Sequence, residues 1–184
     1  MIILGIDPGK TTGLAVLQTT PPRVLYADQC VGGELTDYID RTSADRVVYE
    51  RMQSYGRGAN GDFIDAAEIG GYCRHALGAV PMTRPETIRA LGLTGKGIGK
   101  SAVWAEVVRI LGSDAAGKRC PKRNNKAHDD MRWDSTGRVL DACPVCGGGG
   151  FERAPGPLAM FRGQPHAKDA LTIAVAFALR EGLL

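Results

Sequence analysis

The chain has 184 residues, of which 43% are hydrophobic and 23% are charged, a composition typical of one soluble globular domain. Its longest apolar run, residues 170–179, is shorter than the roughly 20 residues needed to span a bilayer, and the first residues lack the basic region and cleavage motif of a signal peptide. We therefore do not expect a membrane protein, a secreted protein or a disordered protein. Five cysteines without framework spacing indicate reduced thiols, and hence a cytoplasmic location in a bacterium or a host cell.

The net charge of +3 is unevenly distributed along the chain. Residues 84–126 carry ten basic residues against three acidic ones, an excess of seven that leaves the remainder at −4. This asymmetry favours a surface for a polyanion beside an acidic centre, with a solvated basic face as an equal alternative.

The first part of the chain predicts strands in a meander. The apolar run 2–6 is stopped by Asp7-Pro8-Gly9 and followed by a second run at 14–17, which predicts an antiparallel hairpin. Further along, the patterns predict a strand at 23–27, a short helix at 34–41, a buried strand at 46–50 and a polar loop at 51–61.

Helices dominate the prediction for the second part. Asp62 is a candidate N-cap of a helix that ends near Leu77. The remaining elements are a strand at 78–82, a short helix opened by Pro85, a helix at 101–111 and a last helix at 166–180. We interpret the irregular residues 113–164 as an insertion in a single domain, residues 1–184, so the fold class is α/β with a mixed five-stranded sheet flanked by helices.

Three acidic residues lie next to apolar segments, where an unpaired negative charge is energetically unfavourable. Asp7 and Glu50 end apolar strands, and Asp169 lies in the first turn of the last helix, with His166 three residues before it on the same face. If these elements are neighbours, the carboxylates converge and need a cation, for which Mg²⁺ or Mn²⁺ is the natural choice. His166 is then a metal ligand or a proton carrier. Together the four residues predict a catalytic site for phosphoryl transfer.

Each of these residues also has a purely structural interpretation. Asp7 before Pro-Gly suits a turn, Asp169 suits the start of a helix dipole, and His166 suits a helix cap. Glu50 is the hardest to explain in this way, because it directly follows a core strand.

The acidic motifs carry a resemblance. Leu4-Gly5-Ile6-Asp7-Pro8-Gly9, Val48-Tyr49-Glu50 and His166-Ala167-Lys168-Asp169-Ala170-Leu171 resemble motifs of the RuvC-type Holliday junction resolvases, in particular the phage-like branch of these RNase H-like nucleases. The likeness covers residues 1–111 and 165–182. It implies an RNase H-like fold, a homodimer that binds four-way DNA junctions, and metal-dependent nicking of two strands.

The resemblance also implies roles for particular positions. Asp7, Glu50 and Asp169 match the metal-binding carboxylates, and His166 matches a position where family members have an acid or a histidine. Arg89 and Lys100 match basic residues near the scissile backbone. The family often has an aromatic residue soon after the second acid. Here the nearest one is Tyr55, which becomes the candidate for DNA contact at the junction centre.

The segment Thr94-Gly95-Lys96-Gly97-Ile98-Gly99-Lys100-Ser101 superficially resembles a P-loop, but Thr94 occupies the position of the first required glycine. We favour instead a helix start that binds backbone phosphate through its N–H groups and through Lys96 and Lys100. A flexible loop with solvated lysines is the alternative.

Cys143-Pro144-Val145-Cys146 has the C-x₂-C spacing of a zinc turn, and Cys120 and His128 are the nearest candidates for the other two ligands. A structural Zn²⁺ site and free thiols are equally compatible with this irregular spacing. Cys30 and Cys73 are expected to be packing residues, and Trp104 is expected in the core or at a dimer interface.

The sequence thus predicts a structure-specific endonuclease that resolves four-way junctions, a crossover junction endodeoxyribonuclease acting in recombination and repair. Two alternatives remain open. One is an RNase H-like nuclease for other branched DNA, RNA or hybrids, and the other is a nucleic-acid-binding protein without enzymatic activity.

Overall fold

The computed structural model describes residues 1–31, 35–40, 43–53, 61–112, 158–161 and 163–184. The chain divides into two compact units, of which one comprises Met1–Leu111 with Met160–Leu184 and the other Gly112–Ala159. The predicted insertion, residues 113–164, overlaps the second unit, of which only residues 112, 158 and 159 are described, and the single-domain organisation stays a prediction. The fold given below is that of the first unit.

A five-stranded mixed sheet forms the centre of this unit, in the order β3-β2-β1-β4-β5. β1 pairs antiparallel with β2 and parallel with β4, β2 pairs antiparallel with β3, and β4 pairs parallel with β5. The strands are β1 (Ile2–Asp7), β2 (Thr11–Thr19), β3 (Pro22–Val31), β4 (Arg46–Glu50) and β5 (Val80–Met82). The predicted fold class is confirmed.

The predicted hairpin and strands are present, but β2 and β3 are longer than their apolar runs. β2 begins at Thr11 and β3 continues to Val31, because the pairing of the two strands, interrupted by a bulge beside Val16 and Leu17, extends as far as Thr11 opposite Val31. Backbone hydrogen bonding to a partner extends a strand beyond the residues whose side chains favour it.

Helices cover both faces of the sheet. On one face, the apolar side chains of β1, β2 and β4 pack with Leu35 of the first helix and Cys73 of the second in a buried core. On the other face, the last helix lies against β1 and β2 and contacts the third and fourth helices. The helices are α1 (Leu35–Asp40), α2 (Gly61–Ala76), α3 (Arg84–Ala90), α4 (Lys100–Leu111) and α5 (Pro165–Arg180), with a 3-10 helix at Ala159–Phe161.

Two glycines let α5 approach the sheet closely. A Cβ atom on Gly5 of β1 would lie 2.1 Å from the carbonyl oxygen of Ala170, and one on Gly13 of β2 would lie 2.0 Å from that of His166. Both distances are far below van der Waals contact, so no side chain fits at either position. The first turns of α5 are thereby held directly above the ends of β1 and β2.

Several local predictions are corrected by the structure. Asp62 is the second residue of α2 and not its N-cap, since the helix begins at Gly61. Asp169 is the fifth residue of α5 and so lies beyond its first turn. The cap position of α5 belongs to Gln164, so His166 is not a cap residue.

Other local predictions are confirmed. Pro85 lies in the first turn of α3, after Thr83, which closes a capping box with Glu86. Cys30 and Cys73 are free and buried, as expected for packing residues. In the described ranges, no helix has both the length and the apolar character required to cross a membrane.

Candidate active site

Two of the acidic residues stand at the ends of neighbouring parallel strands. Asp7 is the last residue of β1 and Glu50 the last of β4, and the residues before them, Ile6 and Tyr49, are register partners. Side chains alternate along a strand, so Asp7 lies on the same face as Gly5, the face covered by α5. Asp7 is buried, with 8% of its surface exposed, and Glu50 is partly buried.

The first two turns of α5 bring the other two residues to this point. The Nδ1 atom of His166 lies 2.9 Å from Oδ2 of Asp7, within hydrogen-bond distance. The backbone N–H of His166 donates a hydrogen bond of 2.9 Å to the side-chain oxygen of Gln29 on β3, which ties the start of the helix to the sheet. Sequence reasoning missed Gln29, because nothing in the local pattern of β3 indicates a contact with a helix far along the chain.

All four predicted residues line one cavity of about 410 Å³, which we call the acidic cleft. Its walls bring together residues from distant parts of the chain, including Lys10 and Arg84. The acidic cleft is lined by Asp7, Pro8, Gly9, Lys10, Thr11, Glu50, Met52, Asp62, Ala66, Arg84, Lys100, His166 and Asp169.

Two of the acids in the cleft hold protons more tightly than ordinary carboxyl groups. Burial, and then the charges of Asp7 and Asp169, raise the pKa of Glu50 to about 7. Burial also raises the pKa of Asp7, against the opposing hydrogen bond from His166. That hydrogen bond raises the pKa of His166 in turn, although burial works in the opposite direction. The charges of Asp7 and Asp169 thus add to the cost of ionising the buried Glu50, and nearby basic residues compensate part of it.

Lys100 supplies part of that compensation. Its ammonium group, on the first residue of α4, forms an ion pair with the carboxylate of Asp169. The Lys100 side chain is 68% exposed, whereas that of Asp169 is only 18% exposed. A largely solvated cation thus neutralises a carboxylate that is mostly enclosed by the protein.

The donor set of the cleft has the chemistry of a site for a hard divalent cation. Carboxylate oxygens and one imidazole face a shared space, and the raised pKa values of Asp7 and Glu50 show that negative charge is costly there. Across the described part of the chain, however, no three His, Cys, Asp or Glu side chains already have the arrangement of a metal site. The residues therefore fit Mg²⁺ or Mn²⁺ by donor type.

The predicted basic residues are placed differently from one another. Lys100 lines the acidic cleft, whereas Lys96, in the loop before α4, and Arg89, on α3, are both exposed and do not line it. Arg84, which sequence reasoning missed, lines it instead and lowers the pKa of Glu50 by its charge. Its position directly after β5 and Thr83 is the signal that could have identified it.

Some predicted residues cannot be placed. Tyr55 lies outside the described residues, as do the four candidate zinc ligands Cys120, His128, Cys143 and Cys146. A structural zinc therefore stays a prediction. The structure adds one acid to the cleft, Asp62 of α2, which the sequence suggested only as a helix cap.

Comparison with solved structures identifies the fold. A structure of Thermus thermophilus RuvC is 19% identical over 100% of this chain and 98% of the other, with a TM-score of 0.56. The same protein in complex with a Holliday junction substrate is 17% identical, with the same TM-score, over 100% and 96% of the two chains. No protein-family model and no curated protein matches the sequence. The chain therefore has the fold of RuvC, as its motifs predicted.

Proposed function

We propose that this protein is a structure-specific DNA endonuclease that resolves four-way junctions by paired phosphodiester hydrolysis. One observation carries the proposal: Asp7, Glu50, His166 and Asp169, which are far apart in sequence, line one cleft at the end of two parallel strands. A purely structural role does not explain why several carboxyl groups share a space in which burial raises the pKa of both Asp7 and Glu50.

The cleft residues divide the chemistry between them. Asp7, Glu50 and Asp169 would hold Mg²⁺ or Mn²⁺, which when bound supplies an activated water and stabilises the leaving 3′-oxygen. His166 is oriented by its hydrogen bond to Asp7, so its imidazole is positioned to take up a proton within the cleft. Lys100 is free to exchange its carboxylate partner for a phosphate when the negative charge of Asp169 is neutralised in another way.

The surroundings of the cleft suit a nucleic-acid backbone. Lys10, Arg84 and Lys100 line the cleft itself, and Lys96 and Arg89 are exposed cations outside it. Cutting two strands of a four-way junction requires two such clefts, and a twofold-symmetric homodimer supplies them.

The decisive experiment compares the wild-type protein with Asp7→Asn on a synthetic mobile four-way junction in Mg²⁺ or Mn²⁺. We expect the substitution to abolish nicking and to leave junction binding largely unchanged, because it removes a carboxylate charge from the cleft and keeps the side-chain shape. Asp65→Asn is the matched control, since Asp65 is on α2 and does not line the cleft. Normal nicking by Asp7→Asn would remove the proposal.

The same assay separates the alternatives. Forks, flaps, single-stranded RNA and RNA–DNA hybrids are offered beside the junction under identical conditions. Preferential cutting of any of these by the wild-type protein, with loss of cutting in Asp7→Asn, would retain the nuclease and change its substrate. Binding to the junction without cutting of any substrate would identify a nucleic-acid-binding protein.

A further inference from the structure

Gln29 of β3 does not line the acidic cleft, yet it belongs to a row of residues that leads directly to it. Asp7 of β1 is the register partner of Gly13 of β2, and Gly13 is in turn the register partner of Gln29. Register partners on neighbouring strands lie on the same face of a sheet, which here is the face covered by α5. The row of Asp7, Gly13 and Gln29 therefore runs across three strands beneath the start of this helix.

Each member of the row meets a different part of His166. The carboxylate of Asp7 lies 2.9 Å from Nδ1 of the ring. A Cβ on Gly13 would lie 2.0 Å from the His166 carbonyl oxygen, so the backbone of His166 passes directly over Gly13. On the other side of Gly13, the side-chain oxygen of Gln29 accepts a hydrogen bond of 2.9 Å from the His166 N–H. The backbone and the ring of His166 are thus each fixed to a different strand.

The bond from Gln29 replaces the local cap that a helix start ordinarily has. Gln164 occupies the N-cap position but makes no side-chain cap hydrogen bond, and Pro165 has no N–H to donate. The first N–H of α5 is therefore that of His166, which an N-cap side chain would normally satisfy. Gln29, 137 positions earlier in the chain, supplies the acceptor instead. A local cap would satisfy the same N–H without fixing the helix relative to the sheet, whereas Gln29 does both.

We infer that Gln29 is a positioning residue of the acidic cleft, which sets the placement of His166 and, through it, the orientation of the Asp7 carboxylate. The catalytic consequence of this inference rests on the proposed function. Gln29 would act without touching the DNA, since it lies outside the cleft. Loss of a hydrogen bond that orients a metal-site residue from behind typically reduces metal affinity or activity by about 10–100-fold.

The test measures the single-turnover rate of nicking at saturating junction in Mg²⁺, at a temperature where every variant is fully folded. Gln29→Met removes the acceptor and keeps a side chain of similar length, so the rate should fall by about 10–100-fold. The dissociation constant of the junction in Ca²⁺ should not change, because Gln29 does not line the cleft. Gln29→Glu keeps an acceptor oxygen at the same reach and should retain most of the wild-type rate.

Thr19→Val is the control for a purely structural hydrogen bond. Thr19 is buried at the opposite end of β2, where its hydroxyl donates a hydrogen bond of 3.4 Å to the carbonyl oxygen of Met1. This variant should unfold more easily and nick at the wild-type rate while folded. The same pattern in Gln29→Met would overturn the inference. A loss of rate in Gln29→Glu as large as that in Gln29→Met would overturn it as well, since the acceptor would then not be the cause.

A second measurement separates this inference from the proposed function. The affinity for Mn²⁺, followed by electron paramagnetic resonance without DNA, should weaken by about tenfold in Gln29→Met. Weaker Mn²⁺ binding in Gln29→Met, together with a wild type that nicks no substrate, would refute the nuclease and retain the positioning role. Wild-type nicking with an unchanged rate and unchanged Mn²⁺ affinity in Gln29→Met would refute only the positioning role. If Gln29→Met does not fold, as judged by circular dichroism, Gln29→Asn takes its place, because its amide is one methylene too short to reach His166.

Discussion

Replacing Glu50 by glutamine is expected to stabilise the metal-free protein at and above neutral pH. Burial and the nearby acids raise the pKa of Glu50 from an ordinary 4.5 to about 7 in the folded protein. The folded state therefore binds the Glu50 proton more tightly than the unfolded state does. The resulting contribution to stability is complete below pH 4.5 and is lost as the pH rises to about 7. The glutamine side chain carries no titrating proton, so the variant escapes this loss.

The size of the effect follows from the shift. A change of the Glu50 pKa from 4.5 to about 7 on folding corresponds to about 3 kcal/mol of unfolding free energy once Glu50 is fully ionised. The Glu50 side chain is partly exposed, and solvent screens its interactions, so we expect about 2 kcal/mol. The pKa of Asp7 is also raised, and its charge is one cause of the Glu50 shift, so the measured difference includes the coupling between these two carboxyl groups.

The assay is urea unfolding followed by circular dichroism, in EDTA, at intervals from about pH 4.5 to about pH 8, which brackets the shift. The difference in unfolding free energy between Glu50→Gln and the wild type should grow over this interval. Glu68→Gln, an exposed position on α2, is the matched control and should show no such trend. Mg²⁺ should stabilise the wild type at the alkaline end more than it stabilises Glu50→Gln, since a bound cation relieves the same repulsion. A variant that is no more stable than the wild type there in EDTA would refute the reasoning.

Two further predictions concern the contacts that assemble the cleft. Gly5→Ala should lower the unfolding free energy by about 3 kcal/mol, because its Cβ would overlap the backbone of α5. In the control Gly71→Ala, the new Cβ meets nothing within 4 Å, and alanine favours the helix, so the unfolding free energy should rise by about 0.5–1 kcal/mol. Equal effects of the two substitutions in denaturant unfolding would contradict this explanation. In an NMR titration of the metal-free protein, the pKa of His166 should lie above 6.5 and should fall in Asp7→Asn, whose amide removes the negative partner. A pKa of His166 that does not change in that variant would show that another group sets it.

The sequence was most informative where local physics determines the structure. The turn at Asp7-Pro8-Gly9 and the apolar runs beside it predicted the β1–β2 hairpin, and the β-branched residues of β4 predicted a buried strand. The start of α2 was predicted less well. Asp62 is a good capping residue by type, yet the helix begins at Gly61 and Asp62 lines the acidic cleft instead. A residue type that suits several local roles does not by itself select one of them.

Asp7 and Glu50 could be predicted as cleft residues because an acidic residue at the end of an apolar strand is easily recognised in the sequence. Arg84 and Gln29 escaped prediction because their roles depend on how α3 and α5 pack against the sheet. Such sites arise from tertiary packing and leave no periodic signal in the sequence.

The glycine and the acid of the first motif are parts of one geometric device. Gly5 has no side chain, so α5 can lie against the backbone of β1, and Gly13 does the same for β2 at the position paired with Asp7. The contact at Gly13 fixes the height of His166 above the sheet, and one further helical turn brings Asp169 into the same cleft. A larger residue at either glycine would lift the helix and separate its donors from the strand carboxylates. The motif therefore depends on the distance between α5 and the sheet. Gly5 and Gly13 keep this distance short, and the acidic residues converge because it is short.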